Sequence, residues 1–208
     1  MIITQLEDVG RSKVKVYIDD EYAFLLYQKE INHFNLREGE EISQSSYEII
    51  IEEKIYYRAK EKALSILKYM DRTEEELRKK LEDAGYAKDI IRRTISYVSQ
   101  YGFLSDDRYA LDYVKKKMYT KSKLVIKTQL QQKGINKEII DKAFVEEYDN
   151  LESEEDPELK AIQKVVAKKS KDIDALSVEE KQKLLASLYR KGFQINKIKK
   201  VLDCNIDM

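Results

Sequence analysis

Cysteine, histidine and proline each occur once in this 208-residue chain, glycine six times and tryptophan not at all. A single Cys204 leaves no partner for an internal disulfide and excludes a multi-cysteine zinc site; it reads as a small apolar side chain. A single His33 excludes histidine-rich metal clusters and leaves little for a nucleophile–histidine pair. So few turn residues argue against sandwiches and barrels of many short strands. No apolar run approaches the roughly 18 residues of a membrane helix. The opening MIITQLEDVG lacks the apolar core of an export signal. Neither GxxxxGK(S/T) nor GxGxxG occurs, so no standard nucleotide cradle is present. Asp19-Asp20 and Asp106-Asp107 offer too few oxygens for a hard cation, and read as a turn and a helix start. These absences lead us to expect a soluble, cytoplasmic protein with no cofactor, no metal and no catalytic residues.

What is present is charge and helix-forming sequence. Charged residues make up 38% and hydrophobic residues 42%, enough for a core despite the charge. Lys+Arg and Asp+Glu balance at 39 each, but unevenly. Residues 1–57 carry 6 bases and 12 acids; residues 149–159 carry six acids and no base; residues 160–208 carry 12 bases and 6 acids. Such asymmetry suits a nucleic-acid or acidic-protein partner on the C-terminal side, or a salt-bridged solvated surface.

Residues 1–42 read as β-structure. Val14, Val16 and Ile18 alternate with Lys15 and Tyr17, Asp19-Asp20 interrupts, and Tyr22–Leu26 follows as the second arm of a hairpin. Ile2-Ile3-Thr4 supplies a third strand. From Ser45, which with Glu48 resembles a capping box, the chain reads as helical.

A pattern then repeats three times. Leu77, Leu81 and Gly85 sit four apart; so do Ile126, Leu130 and Gly134, and Leu184, Leu188 and Gly192. Each glycine falls where a helix C-terminus needs a left-handed residue, which predicts positive φ at all three. A helix carrying Ala63-Leu64, Ala110-Leu111 or Ala161-Ile162 precedes each pair, and a third apolar stripe follows each glycine. Thr73 with Glu76 and Ser177 with Glu180 fit capping boxes, and Asn136 and Asn196 stand where N-caps belong. The fold expected is mainly α: tandem three-helix repeats in an elongated, curved array, after a small N-terminal three-stranded segment. Its parts are 1–44 (β segment), 45–102 (first helical module with a leading helix), 103–148 (second), 149–156 (acidic linker and hinge) and 157–208 (third, with an insertion at Lys171–Leu176).

The positive constellation is basic. Lys115, Lys116 and Lys117 are followed by Lys121, Lys123, Lys127 and Lys133, with Tyr109, Tyr113 and Tyr119 interleaved. If Ala110, Val114 and Met118 are buried, the lysines beside them project outward. Such a row could track phosphates, grip acidic protein, or keep the chain soluble.

The stretches Ala63–Leu67, Thr73–Leu81 with Gly85, the junction Tyr101-Gly-Phe-Leu-Ser-Asp-Asp-Arg-Tyr-Ala110, and Gln129–Ile135 together resemble the RecX family. Tyr17–Phe24 resembles the extra N-terminal segment of its longer members. The resemblance implies a non-enzymatic, monomeric regulator that binds and inhibits the RecA recombinase filament on single-stranded DNA, away from any membrane. Candidate contacts to that filament are Arg72, Lys115, Lys116, Lys117, Lys121, Lys123, Lys127 and Lys133. The chain departs from the family pattern in two places: Met70 stands where Arg is frequent, and Ser122-Lys-Leu-Val125 where a glycine and a basic residue are usual. A free-standing nucleic-acid-binding helical repeat protein is the alternative, and a carboxylate hydrolase a third reading without supporting spacing.

Overall fold

Alternating burial along Lys13–Ile18, with Val14, Val16 and Ile18 inward, makes the strand at the centre of the N-terminal sheet. This computed structural model describes residues 1–149, 151, 156–169 and 175–202. Cys204, residues 150 and 152–155 of the expected linker, and 171–174 of the expected insertion lie outside them. The chain divides into two compact units, Met1–Ser105 and Asp106–Met208.

In the first unit, β1 (Ile3–Val9), β2 (Lys13–Ile18) and β3 (Glu21–Tyr27) form an antiparallel sheet in that order. Asp19 and Asp20 turn the β2–β3 hairpin with φ of 48° and 68°, the left-handed conformation that a two-residue hairpin demands. β1 runs five residues further than the Ile2–Thr4 segment expected from sequence. A short helix α1 (Gln28–His33), unforeseen in sequence, follows β3. α2 (Gln44–Ile49) is capped by Ser43, whose hydroxyl accepts from the Ser46 N–H; the expected cap, Ser45, lies inside the first turn. A π-helical segment, Ile50–Tyr56, and α3 (Tyr57–Tyr69) continue it without a break in helical backbone.

This long rod serves two cores. Ile50, Ile51, Ile55 and Ala59 pack with Ile3, Val16, Phe24 and Leu26 of the sheet and with Ile90. One turn on, Ala63 packs with Leu77 and Leu81 of α4 (Glu74–Asp83), with Ile91, Ile95 and Val98 of α5 (Lys88–Gln100), and with Leu104. The Tyr22 hydroxyl fastens the sheet to the first module by donating to the Gly85 carbonyl. Burial, with the nearby Tyr17 phenol, pushes the Tyr22 phenol up to about 12. Tyr22→Phe should therefore cost about 1 kcal/mol in urea unfolding. It should also remove one late-ionising phenol from an ultraviolet titration; an unchanged titration would contradict this placement.

The second unit holds α6 (Asp106–Lys117), α7 (Lys123–Gln132), α8 (Lys137–Asp149), α9 (Pro157–Ala167), α10 (Val178–Arg190) and α11 (Ile195–Leu202). α6–α8 enclose Ala110, Val114, Ile126, Leu130 and Ile140. α9–α11 enclose Ala161, Ile162, Leu184, Leu188 and Ile198. The repeat read from sequence is thus a structural one. Gly85, Gly134 and Gly192 have φ of 86°, 84° and 77°. After each, the next N–H reaches back to the carbonyl of the second apolar residue: Tyr86 to Leu81, Ile135 to Leu130, Phe193 to Leu188, at 3.2, 3.2 and 3.3 Å. This six-to-one bond stops all three helices in the same way. Asn136 caps α8, its Oδ1 accepting from the Glu138 N–H. Asn196 is not a cap: α11 starts at Ile195, and the Gln194 carbonyl accepts from Lys197 and Ile198.

Candidate partner-binding surface

Ala110, Val114 and Met118 are buried on α6, which fixes the direction of the lysines beside them. Lys115 and Lys116 are exposed and Lys117 is half-buried. The Lys116 ammonium lies 3.7 Å from Asp112, one turn back, in an exposed pair of little energetic weight. Further along, the lysines are engaged. Lys121 donates to Gln129 Oε1 at 2.8 Å, an atom that also accepts from the Tyr113 hydroxyl. Lys127 pairs with Asp141. Lys133 sits 5.5 Å from the Tyr109 ring, which stacks on Tyr113. Arg72 is in the other unit, half-buried, with a buried Nε that has no hydrogen-bond acceptor among the described residues.

Lys123 corrects the expectation of a single outward row. Its ammonium lies 4.0 Å from the Tyr148 ring and 5.4 Å from Phe144, and its backbone N–H donates to Glu158 Oε1 at 3.2 Å. Burial, then the neighbouring Lys197 and Lys127 ammoniums, hold it below the usual lysine range. Lys123 thus faces an ionic cluster where the second and third modules meet.

Glu158 is the centre of that cluster and only 1% exposed. Lys197 Nζ lies 3.0 Å from its Oε2 and 2.6 Å from Asp156 Oδ2. Burial works against the Lys197 charge, but the two carboxylates outweigh it and raise its pKa. Burial and the Glu158 and Asp156 charges push the Tyr148 phenol up to about 12. Asp156, counted from sequence as a linker acid, is the N-cap of α9, its side chain accepting from the Glu158 N–H. Ser122, one of the departures from the family pattern, is buried. It caps α7 and donates to the Lys191 carbonyl at 2.7 Å, joining the two modules again. Sequence reading missed the Glu158–Lys197 pair. An acid beside Pro157 in a first helical turn reads as a dipole-favoured surface charge, and nothing local signals burial.

Three family models match in tandem. The first, second and third three-helix domains of RecX cover residues 59–97, 105–143 and 156–202. The chain belongs to the RecX family. Relatives called "Regulatory protein RecX" include one from Clostridium acetobutylicum, 34% identical over 96% of this chain and 94% of its own. Another, from Clostridioides difficile, is 31% identical over 97% of this chain and 94% of its own. A crystal structure of regulatory protein RecX shares the fold at a TM-score of 0.61 and 24% identity, over 98% of this chain and 99% of its own. RecX from Lactobacillus salivarius gives 0.57 and 28% over 71% of this chain and 94% of its own. The second RecX domain contains all seven candidate lysines, and the first contains Arg72. The third RecX domain opens at the capping Asp156 and takes in both members of the buried pair. The N-terminal sheet precedes all three. Among the described residues no helix is long and apolar enough to cross a membrane.

Proposed function

We propose that this protein regulates the RecA recombinase without chemistry of its own, binding the RecA filament on single-stranded DNA and inhibiting strand exchange and ATP hydrolysis. Its relatives are named as regulatory proteins, and tandem helical repeats commonly serve as binding surfaces for a macromolecular partner. The observation that carries the reading is the family membership over nearly the whole chain. Lys115 and Lys116, at the end of α6, are its most accessible candidate contacts, with the half-buried Lys117 beside them. The protein is read as a cytoplasmic monomer.

Adding the chain to RecA on single-stranded DNA and following ATP hydrolysis tests the reading: hydrolysis should fall, and no change at saturation would overturn it. Lys115→Glu, Lys116→Glu and Lys117→Glu together should abolish the inhibition while circular dichroism stays the same. Each lost phosphate contact should flatten the salt dependence by roughly one counterion. Full inhibition by the folded triple variant at physiological salt would place the contact elsewhere.

A further inference from the structure

The first module carries a second basic surface, on α3 and α5, that the lysine row of the second module does not explain. The Arg93 guanidinium lies 4.2 Å from the Tyr56 ring centre and is held there by Glu52, at 2.8 Å from Nη2. One turn along, the Lys60 ammonium sits 4.6 Å from Tyr56 and 5.1 Å from Tyr97. The Tyr97 ring in turn lies 4.7 Å from Tyr101, at 48°. Arg93, Tyr56, Lys60 and Tyr97 thus form a ladder in which cations alternate with rings, and Tyr101 extends it by a second ring. Tyr56, Arg92, Arg93, Ser96, Tyr97 and Gln100 line an open groove of about 420 Å³.

The chemistry of the groove is lopsided. Three cations, Lys60, Arg92 and Arg93, stand against two carboxylates: Glu52, which Arg93 occupies, and Asp89, which also acts on Arg93. Arg92 is exposed and has no carboxylate partner among the described residues. Tyr101 leaves 62% of its surface to solvent at the end of the ladder. Alternating cations and aromatic faces are what a single strand needs, phosphates on the cations and bases on the rings. A duplex would offer Tyr101 no unstacked base, and an acidic peptide would leave the rings without a stacking partner.

From these contacts we infer that the α3–α5 groove binds single-stranded nucleic acid directly, with Arg92 and Lys60 on phosphates and Tyr97 and Tyr101 under bases. From 92 to 101 the groove runs ~14 Å, the length of a few nucleotides of unstacked strand. The inference rests on the filament reading only for the source of the strand, and its test omits the recombinase.

Fluorescence anisotropy of the full chain with a labelled oligothymidylate is the measurement. Binding should be salt-dependent. Arg92→Glu should weaken it by about tenfold and flatten the salt slope by roughly 0.7 for the lost contact. Tyr101→Ala should weaken it by roughly fivefold or more while leaving that slope alone. Both residues are exposed, so unchanged circular dichroism is expected of both variants. No binding by the wild type, unchanged binding by both variants, or binding lost only on changing Lys115, Lys116 and Lys117 would each overturn the assignment. Stronger displacement of the groove by polyglutamate than by oligothymidylate would also overturn it, assigning the surface to acidic protein. Inhibition of RecA ATP hydrolysis that survives Arg92→Glu leaves the filament reading standing, so the two ideas fail separately.

Discussion

Lys197→Met should lower the stability of the second unit by about 3 kcal/mol, because it strands a carboxylate that is 1% exposed. The lower end of the range for broken buried pairs applies, since the Lys197 side chain itself keeps 24% of its surface. The loss should depend on pH with a definite sign. Asp156 sets that sign in the wild type. Burial would raise its pKa, but the Lys197 hydrogen bond and the N–H groups of Glu158 and Leu159 hold it low. Its stabilisation is present above the ordinary aspartate value and is lost as pH falls through the folded one. Urea titrations of wild type and variant across the acid range should therefore converge. A gap that stays constant with pH would mean that the contact of Lys197 with Asp156 adds nothing to stability. Glu158→Leu combined with Lys197→Met should recover most of the loss, since two apolar groups can replace a buried pair.

Gly192→Ala should cost about 2–3 kcal/mol, more than the same change at other positive-φ glycines. Its φ of 77° already disfavours a side chain, and a Cβ there would stand 3.0 Å from Ser122 Oγ and 3.2 Å from Leu124 Cβ and Cδ2. Ser122 cannot retreat without giving up both its bond to the Lys191 carbonyl and its cap on α7. Gly102 has a similar φ of 73°, but a Cβ there would meet nothing within 4 Å, so Gly102→Ala should cost only about 1 kcal/mol. Equal losses in urea unfolding would show that the Leu124 side chain swings aside and that the module junction is looser than its distances imply.

The three-helix repeat was legible because its signals are local. Leucine spacing, a terminal glycine and a capping box all fall within one helix, and the backbone obeys each where it stands. Legibility ended where partners are distant in sequence. Glu158 and Lys197 are 39 residues apart and each resembles an ordinary surface charge. The lysine row failed in part for the same reason: spacing on α6 orients Lys115 and Lys116, but only the fold reveals that Lys123 turns towards Tyr148. The cation ladder of the first module needed two helices side by side, with Lys60 and Tyr97 separated by 37 residues. The π-helical segment left no mark either, since its bonds reach one residue further than the α-helical period assumes.

The rod shared by sheet and first module has a consequence for synthesis. Val16, Phe24 and Leu26 are made early, yet their core is closed by Ile50, Ile55 and Ala59 and finally by Ile90. At translation rates of about 5–20 residues per second, the interval between Ile3 and Ile90 lasts roughly 4–17 s. Over that interval the apolar face of the hairpin is covered in stages, first by Ile50, Ile55 and Ala59 and last by Ile90. The strands are therefore made before the helices but not finished before them, since their core stays incomplete until α5 emerges.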